Sequence, residues 1–488
     1  MPIEFDRISE LFEETEILKD PETLKRVYCD SIVNNSAETP VAAVFPKNTS
    51  QISELIKYLR TIEDINVLII SSRTEPKFFE DTRTNSNIFI IDLTKMKKIS
   101  FVNKKNKVCV VEPGVTWSEL TKILKESGLR PRSPFLPRQG KSVLTSILDR
   151  EPHLCPKAQF DISDPLLCME VVFGNGEIFR TGEAAGPRSM EENRQAGAAL
   201  KNPLGPGQTD IFRLIQGSKG TYGCCTWISM QCDFIPTKRI IKFINYDNVE
   251  PLADFIYATV RRRLVDEVFI INDNLFKAIF PMAEGDLKRY ILMYAINGYE
   301  WLPDEKIEYQ MEDCNEILNQ INLIPSESLA NVQQSEVEPI LDGQTVDPHP
   351  KYSETTIAVD IFYNTTLDRV QNHIQIVDEL LRKHQFPLER LNLYIQPIIQ
   401  ARATHLEFSL IADRPGFETN LSTAYEKVCE IGRELAEFAI SNGGFFSRPY
   451  KLVKEFAFKG HEAYIEGLRK IKKIFDPDAI LNRGELCF

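Results

Sequence analysis

The chain has 488 residues, 43% hydrophobic and 26% charged, too long for one compact core and ordinary in composition for a globular protein. Its 70 acidic against 58 basic residues give a net charge of −12, which argues against nucleic acid or an anionic membrane as the main partner. No run approaches the roughly 18 apolar residues of a membrane span, and none of the ten cysteines forms a C-x-x-C pair of the kind zinc and iron–sulfur sites use.

The opening stretch "MPIEFDRISELFEETE" is acidic and lacks an apolar core, so no signal peptide is expected, and a reducing, cytoplasmic setting suits the cysteines. "PVAAVFP" (40–46) predicts a short buried strand. "NTSQISELIKYLR" follows with Ile52, Leu55, Ile56 and Leu59 on one helical stripe. Strands are expected at "NVLII" (66–70) and "NIFIIDL" (87–93), joined by "SSRTEPKFFEDT", which has no glycine and three acids, Glu75, Glu80 and Asp81. "KVCVVEPGVTW" (107–117) is another strand, after which Thr116 and Glu119 make a capping box ahead of Leu120, Ile123 and Leu124.

"LLCMEVVFGNGEIFRTG" reads as a hairpin turning at Gly-Asn-Gly, residues 182–210 as irregular chain, and "GSKGTYGCCTWISMQCDFIP" as glycines leading into a strand. Beyond about residue 237 long helices alternate with strands: 355–364 and 403–413 extended, 366–384 and 422–441 helical. The polar stretch 326–350 is expected to be a surface excursion, and "LRKIKK" (468–473) a solvated basic face of the last helix.

Four pieces fall in one order: "VAAVFPKNTSQISELIKYLR", "VVEPGVTWSELTKIL", "MEVVFGNGEIFRTG" and "FDPDAILNRGE". With "NPLGPGQTDIFRLIQGSKGTYGCCT" and "SNGGFFSRP", the series resembles the FAD-binding family of vanillyl-alcohol oxidase and p-cresol methylhydroxylase, more distantly the D-lactate dehydrogenases. The resemblance implies an α+β fold in which a two-part FAD-binding domain (1–236, two α+β subdomains) is completed by the C-terminal segment (446–488). A cap or substrate domain of antiparallel sheet and helices (237–445) would cover the flavin ring. It further implies FAD as cofactor and removal of a hydride from an aromatic alcohol, alkylphenol or hydroxy acid, with the protein supplying orientation and electrostatics. A homodimer, or a heteromer with a paralogous subunit or electron-acceptor protein, would be usual. The alternative is a flavin-free structural or regulatory subunit that keeps the fold and pairs with an active paralogue.

The departures fall on two cofactor loops. Where the family carries a glycine-rich turn around the pyrophosphate, this chain offers Ser71, Ser72, Arg73 and Thr74 as hydroxyl donors and a cation. The second loop, normally a glycine doublet, keeps Gly140 and Ser142 but has Lys141 between them. Pro113, Gly114, Gly217, Gly220 and Gly223 preserve the remaining small-residue positions.

For catalysis, the resemblance points to Asp161 as the acid beside the flavin, the alternative being an aspartate that caps "SDPLL", with Asp164 as its rival. His405 and Glu407 share one face of a strand, as an acid/base pair or as a satisfied polar surface between domains. Arg402 and Tyr394 are candidates for the same polar cluster. Arg448 follows "NGGFF" where the family places an arginine that stabilises negative charge, against the alternative of a solvated side chain before Pro449. No metal site is expected. Cys224 and Cys225, adjacent on one strand, should point to opposite faces and serve as core.

Overall fold

The computed structural model describes residues 3–28, 39–72, 87–353, 355–413 and 423–488. Three sheets organise them. The first has four strands in the order Ile17–Leu18, Ala42–Val44, Asn87–Asp92, Ile65–Ile70, the last three mutually parallel. Its helix Thr49–Leu59 starts where the Asn48 side chain accepts from the Gln51 amide (2.9 Å). The predicted stripe Ile52, Leu55, Ile56 and Leu59 is wholly buried against the sheet.

The free edge of Ile65–Ile70 is closed by the far end of the chain. The Val67 amide donates to the Ile480 carbonyl (2.8 Å) and the Asn482 amide to the Val67 carbonyl (2.9 Å), a parallel rung that satisfies an exposed edge.

The second sheet is antiparallel: Ile99–Asn103, Val108–Val111, Gly223–Phe234, Leu166–Phe173, Ile178–Arg180, with Leu129–Pro131 also paired to Gly223–Phe234. The capping box forms as read: the Thr116 amide donates to Glu119 Oε2 (2.9 Å), and the Glu119 amide to Thr116 Oγ1 (3.4 Å). Cys224 packs into the first-sheet core and Cys225 into the second, as adjacent strand residues must. Residues 182–210 hold only short helical turns, such as Met190–Gln195.

The third sheet has six strands: Lys238–Tyr246, Tyr290–Gly298, Glu267–Asn272, Leu391–Ile398, Ala403–Asp413 and Thr356–Thr365, all antiparallel. Period-two alternation splits it into two faces. Val268 and Ile270 join Phe255, Tyr363 and Phe408 under helices that include Val249–Arg261, Val370–Lys383 and Thr423–Ser441. Phe269, Ile271 and Tyr394 point the other way and meet Phe135 and Leu136 from the second-sheet half. Each fully buried aromatic of this kind contributes roughly 2–3 kcal/mol. Ion pairs cross the same boundary, Arg130–Glu267 at 2.5 Å and Lys157–Asp266 at 2.7 Å.

One expectation fails and another holds only in part. The stretch 326–350 is not a surface excursion. It carries the helix Gln334–Leu341, whose Val337, Ile340 and Leu341 are buried against the third sheet. Only one helical turn is apolar and Pro339 interrupts it, so no periodic signal develops. In 468–473, Arg469, Lys470 and Lys473 are exposed as a basic face should be, but Lys472 is not. Lys472 is buried, and its ammonium donates to the Thr221 carbonyl (2.6 Å), the Leu481 carbonyl (2.9 Å) and Asp476 (2.7 Å).

Candidate functional site

A cavity of about 750 Å³ opens between the second face of the third sheet and the first two sheets, within the size range of cofactor and ligand pockets. One part of its wall lies at the end of Ile65–Ile70. Ser71 Oγ contacts Thr145 Oγ1, and the Ser142 amide donates to Ser72 Oγ (2.9 Å). Ser142 is also the cap of the helix Val143–Leu148, and its hydroxyl donates to the Pro113 carbonyl (2.6 Å). Asn482 joins this wall to the turn at Gly220: its amide donates to the Lys219 carbonyl (2.7 Å), and its oxygen accepts from the Ile69 amide (3.0 Å). Gly220, at φ +71°, would drive a Cβ to 2.6 Å from Asn482 Nδ2.

The opposite part is built from the third sheet and the segment before its last-paired strand. In register, Phe362 and Tyr394 lie opposite Glu407 from its two sides, so Asp360, Phe362, Tyr394, His405 and Glu407 present side chains to one face. His405 Nε2 lies 3.1 Å from Glu407 Oε2. The other Glu407 oxygen contacts Lys351 Nζ, which is also 3.4 Å from Asp360 Oδ1. Tyr352 donates to Asp360 (2.9 Å), and Arg138 lies over its ring at 5.1 Å. Between the two parts stand Tyr450, which donates to Asp149 (2.8 Å), Arg448 over the Phe362 ring at 4.2 Å, and Lys219 over the Tyr450 ring at 3.9 Å.

Four cations of this cavity lie on its own carboxylates. Lys141 lies 3.1 Å from Glu151, Arg448 3.8 Å from Glu151, Lys219 3.1 Å from Glu485, and Lys351 between Glu407 and Asp360. Burial alone would raise the acids, but neighbouring cations prevail. Glu151 falls to about 2 through Lys141 and Arg448, and Glu407 falls well below the carboxylate range through Lys351 and His405. Burial depresses both cavity histidines, with Lys351 adding to the effect: His349 falls to about 4, and His405 falls despite its bond to Glu407. At neutral pH both rings are therefore uncharged.

Of the residues expected from sequence, the structure gathers Ser71, Ser72, Gly220, Gly223, Tyr394, His405, Glu407 and Arg448 on the cavity. Arg73 and Thr74 fall outside the described residues. Pro113, Gly114, Gly140, Ser142 and Gly217 stand behind the wall rather than on it. Gly114 is pressed on the chain at Thr94, where a Cβ would lie 2.5 Å from the carbonyl oxygen. Gly217 (φ +83°) bonds the Leu148 carbonyl through its amide (2.8 Å), and Gly140 turns the chain at φ +79°. Asp161 is off the cavity. It caps a turn, accepting from the Ser163 amide (2.9 Å), and pairs with Arg213 (3.1 Å); its rival Asp164 closes the same turn. Arg402 is exposed and also off the cavity.

Sequence reasoning missed His349, Lys351, Tyr352, Asp360 and Tyr450. The signal available was composition: "HPKY" packs two bases and an aromatic at the end of a polar stretch, just ahead of a strand.

The polar groups and walls fit a flavin dinucleotide. Hydroxyls of Ser71, Ser72 and Thr145, with Arg26, Lys219 and Arg483, supply donors suited to a diphosphate, while Leu68, Leu144, Leu148, Ile215 and Cys225 give apolar wall for a ring system.

Comparison with known proteins agrees. Residues 40–182 match the family model described as FAD binding domain. The mitochondrial D-lactate dehydrogenase [cytochrome] of Arabidopsis thaliana is 26% identical over 253 residues, 52% of this chain. The matched part spans only 41% of that relative's own length. Among solved structures, p-cresol methylhydroxylase with substrate bound superposes with a TM-score of 0.80 at 15% identity, covering 99% of this chain and 96% of that one. The 4-ethylphenol oxidase from Gulosibacter chungangensis superposes with a TM-score of 0.78 at 17% identity, covering 98% and 95%. The chain therefore carries the FAD-binding domain and the two-domain fold of the p-cresol methylhydroxylase type, with FAD as its cofactor.

Proposed function

We propose that this chain is an FAD-dependent oxidoreductase acting on an uncharged aromatic alcohol or alkylphenol. Bound FAD would accept the hydride; the rest of the chemistry falls to the chain's own side chains. Phe135, Phe362, Tyr352, Tyr394 and Tyr450 form the aromatic surround for a ring, and His405 with Glu407 is the acid/base pair that takes a proton from the substrate hydroxyl. Ser71, Ser72 and Thr145 would hold the diphosphate.

One observation carries the choice of substrate: Lys141, Lys219, Lys351 and Arg448 each already engages a carboxylate. The carboxylate of a hydroxy acid would have to displace Glu151, Glu485 or Glu407 to gain any of these four cations, at the cost of leaving a buried acid unpaired. An uncharged aromatic alcohol meets no such competition.

The deciding experiment is anaerobic addition of 4-hydroxybenzyl alcohol, and separately of D-lactate, to the FAD-loaded protein. Bleaching of the flavin absorbance by the aromatic alcohol alone is expected; bleaching by D-lactate alone overturns the substrate assignment. Consistent with this reading, we place the cap domain at 237–445, the flavin half at 1–236 with 446–488, and the protein in the cytoplasm as a homodimer or a heteromer with an electron-acceptor subunit. Among the described residues no helix is long and apolar enough to cross a membrane.

A further inference from the structure

The segment leading into the strand Thr356–Thr365 places Lys351 against two carboxylates of the third sheet, with its side chain only 13% exposed. Asp360 has other donors, Tyr352 at 2.9 Å and Ser409 at 2.5 Å. Glu407 has two partners, Lys351 at one oxygen and His405 Nε2 at the other. The contact with Lys351 therefore decides whether Glu407 carries charge. If it does, the carboxylate can only accept, so the proton between it and the imidazole sits on Nε2. His405 Nδ1 makes no hydrogen bond among the described residues, although the ring lines the cavity.

We propose that Lys351 is a positioning residue: by keeping Glu407 ionised, it fixes His405 as the Nε2–H tautomer and leaves the Nδ1 lone pair as the proton acceptor of the site. This rests on the reading of the cavity as an oxidoreductase site. In the step assigned, the substrate O–H bond breaks and an N–H bond forms at Nδ1, giving an imidazolium paired with Glu407. Lys351 has a second effect on the same ring. Its charge, with that of Arg448, opposes protonation of His405, so the resting base is neutral and ready. The other groups facing His405 are the Tyr394 ring at 5.9 Å and the Phe362 ring at 5.6 Å, and neither carries charge at neutral pH.

The test is a ¹⁵N–¹H multiple-bond correlation spectrum of the histidines in the FAD-loaded protein across pH, with His405→Gln to identify the resonance. A neutral Nε2–H ring is expected at neutral pH in the native protein and in Lys351→Arg. In Lys351→Met the Nε2–H signal should give way to an Nδ1–H ring, because Glu407, no longer held ionised, carries the proton and donates it to Nε2. An Nδ1–H ring or an imidazolium in the native protein at neutral pH overturns the proposal. So does an unchanged Nε2–H tautomer in Lys351→Met. Should that variant fail to fold, the native tautomer still decides. The spectrum needs no turnover, so the two readings fail separately. A protein that no aromatic alcohol bleaches, but with the expected tautomer, refutes the oxidoreductase reading alone. A protein that bleaches with the same pH profile in Lys351→Met refutes the role of Lys351 alone.

Discussion

Replacing Lys472 by Met tests how the last helix holds the flavin half together. The native ammonium donates to two main-chain carbonyls and one carboxylate, from Thr221, Leu481 and Asp476, at 2.6–2.9 Å. Met keeps the stem's apolar contacts and removes the charge. Asp476, 0% exposed, retains bonds from the Leu481 amide (2.9 Å) and the Ile480 amide (3.2 Å) but loses its cation. Breaking a buried pair from one side typically costs about 3–5 kcal/mol, most of it the stranded partner charge. A loss of that size should appear as a lower urea midpoint for the transition that releases FAD fluorescence. Lys472→Met/Asp476→Asn should recover much of the loss, since no charge is then stranded. A single variant within about 1 kcal/mol of the native protein would refute the reasoning, because such a value suits a solvated lysine.

Gly114→Ala should weaken FAD retention without touching FAD, since its Cβ would sit 2.5 Å from the Thr94 carbonyl oxygen; equilibrium dialysis of the variant measures this. Arg130→Met should cost about 3–5 kcal/mol in thermal or urea unfolding by stranding Glu267, which is 2% exposed. Acid should destabilise the fold in two stages. His153, His349 and His373 have folded values depressed to about 3, 4 and 4 by burial, so their contribution is complete above pH 6.5 and is lost as pH falls toward those values. Glu151, depressed to about 2 from 4.5, adds stability above pH 4.5 that is lost as pH falls toward 2; unfolding titrations from pH 7 to 2 should show both stages. His153→Phe should soften the first stage at little cost at pH 7, because neither ring nitrogen of His153 has a hydrogen-bond partner among the described residues.

What the sequence disclosed, and what it hid, follows from how each signal is encoded. The helix Thr49–Leu59 and the capping box at Thr116 were legible because period and cap chemistry are local. His405 and Glu407 were legible because two residues on a strand share a face whatever the tertiary context. Arg448 came only through the likeness of its motif, and it does line the cavity. Asp161 came by counting along the chain, yet the turn at 161–164 absorbs its carboxylate before it can reach the cavity. Lys351 and Lys472 could not be read from their neighbours. A lysine in a polar run looks solvated until the fold brings carbonyls and carboxylates from distant segments around it, as Thr221 and Leu481 do for Lys472.

The rung between Val67 and Leu481 has a consequence for biosynthesis. The third sheet is complete in sequence by Asp413, so it can assemble while the ribosome is still translating. The first sheet gains its last partner only once residues 480–482 have been made and are clear of the exit tunnel. A chain stopped before residue 480 would thus carry a complete third sheet and an open edge beside Ser71 and Ser72. Cofactor loading becomes, by topology, a check that translation has passed residue 482.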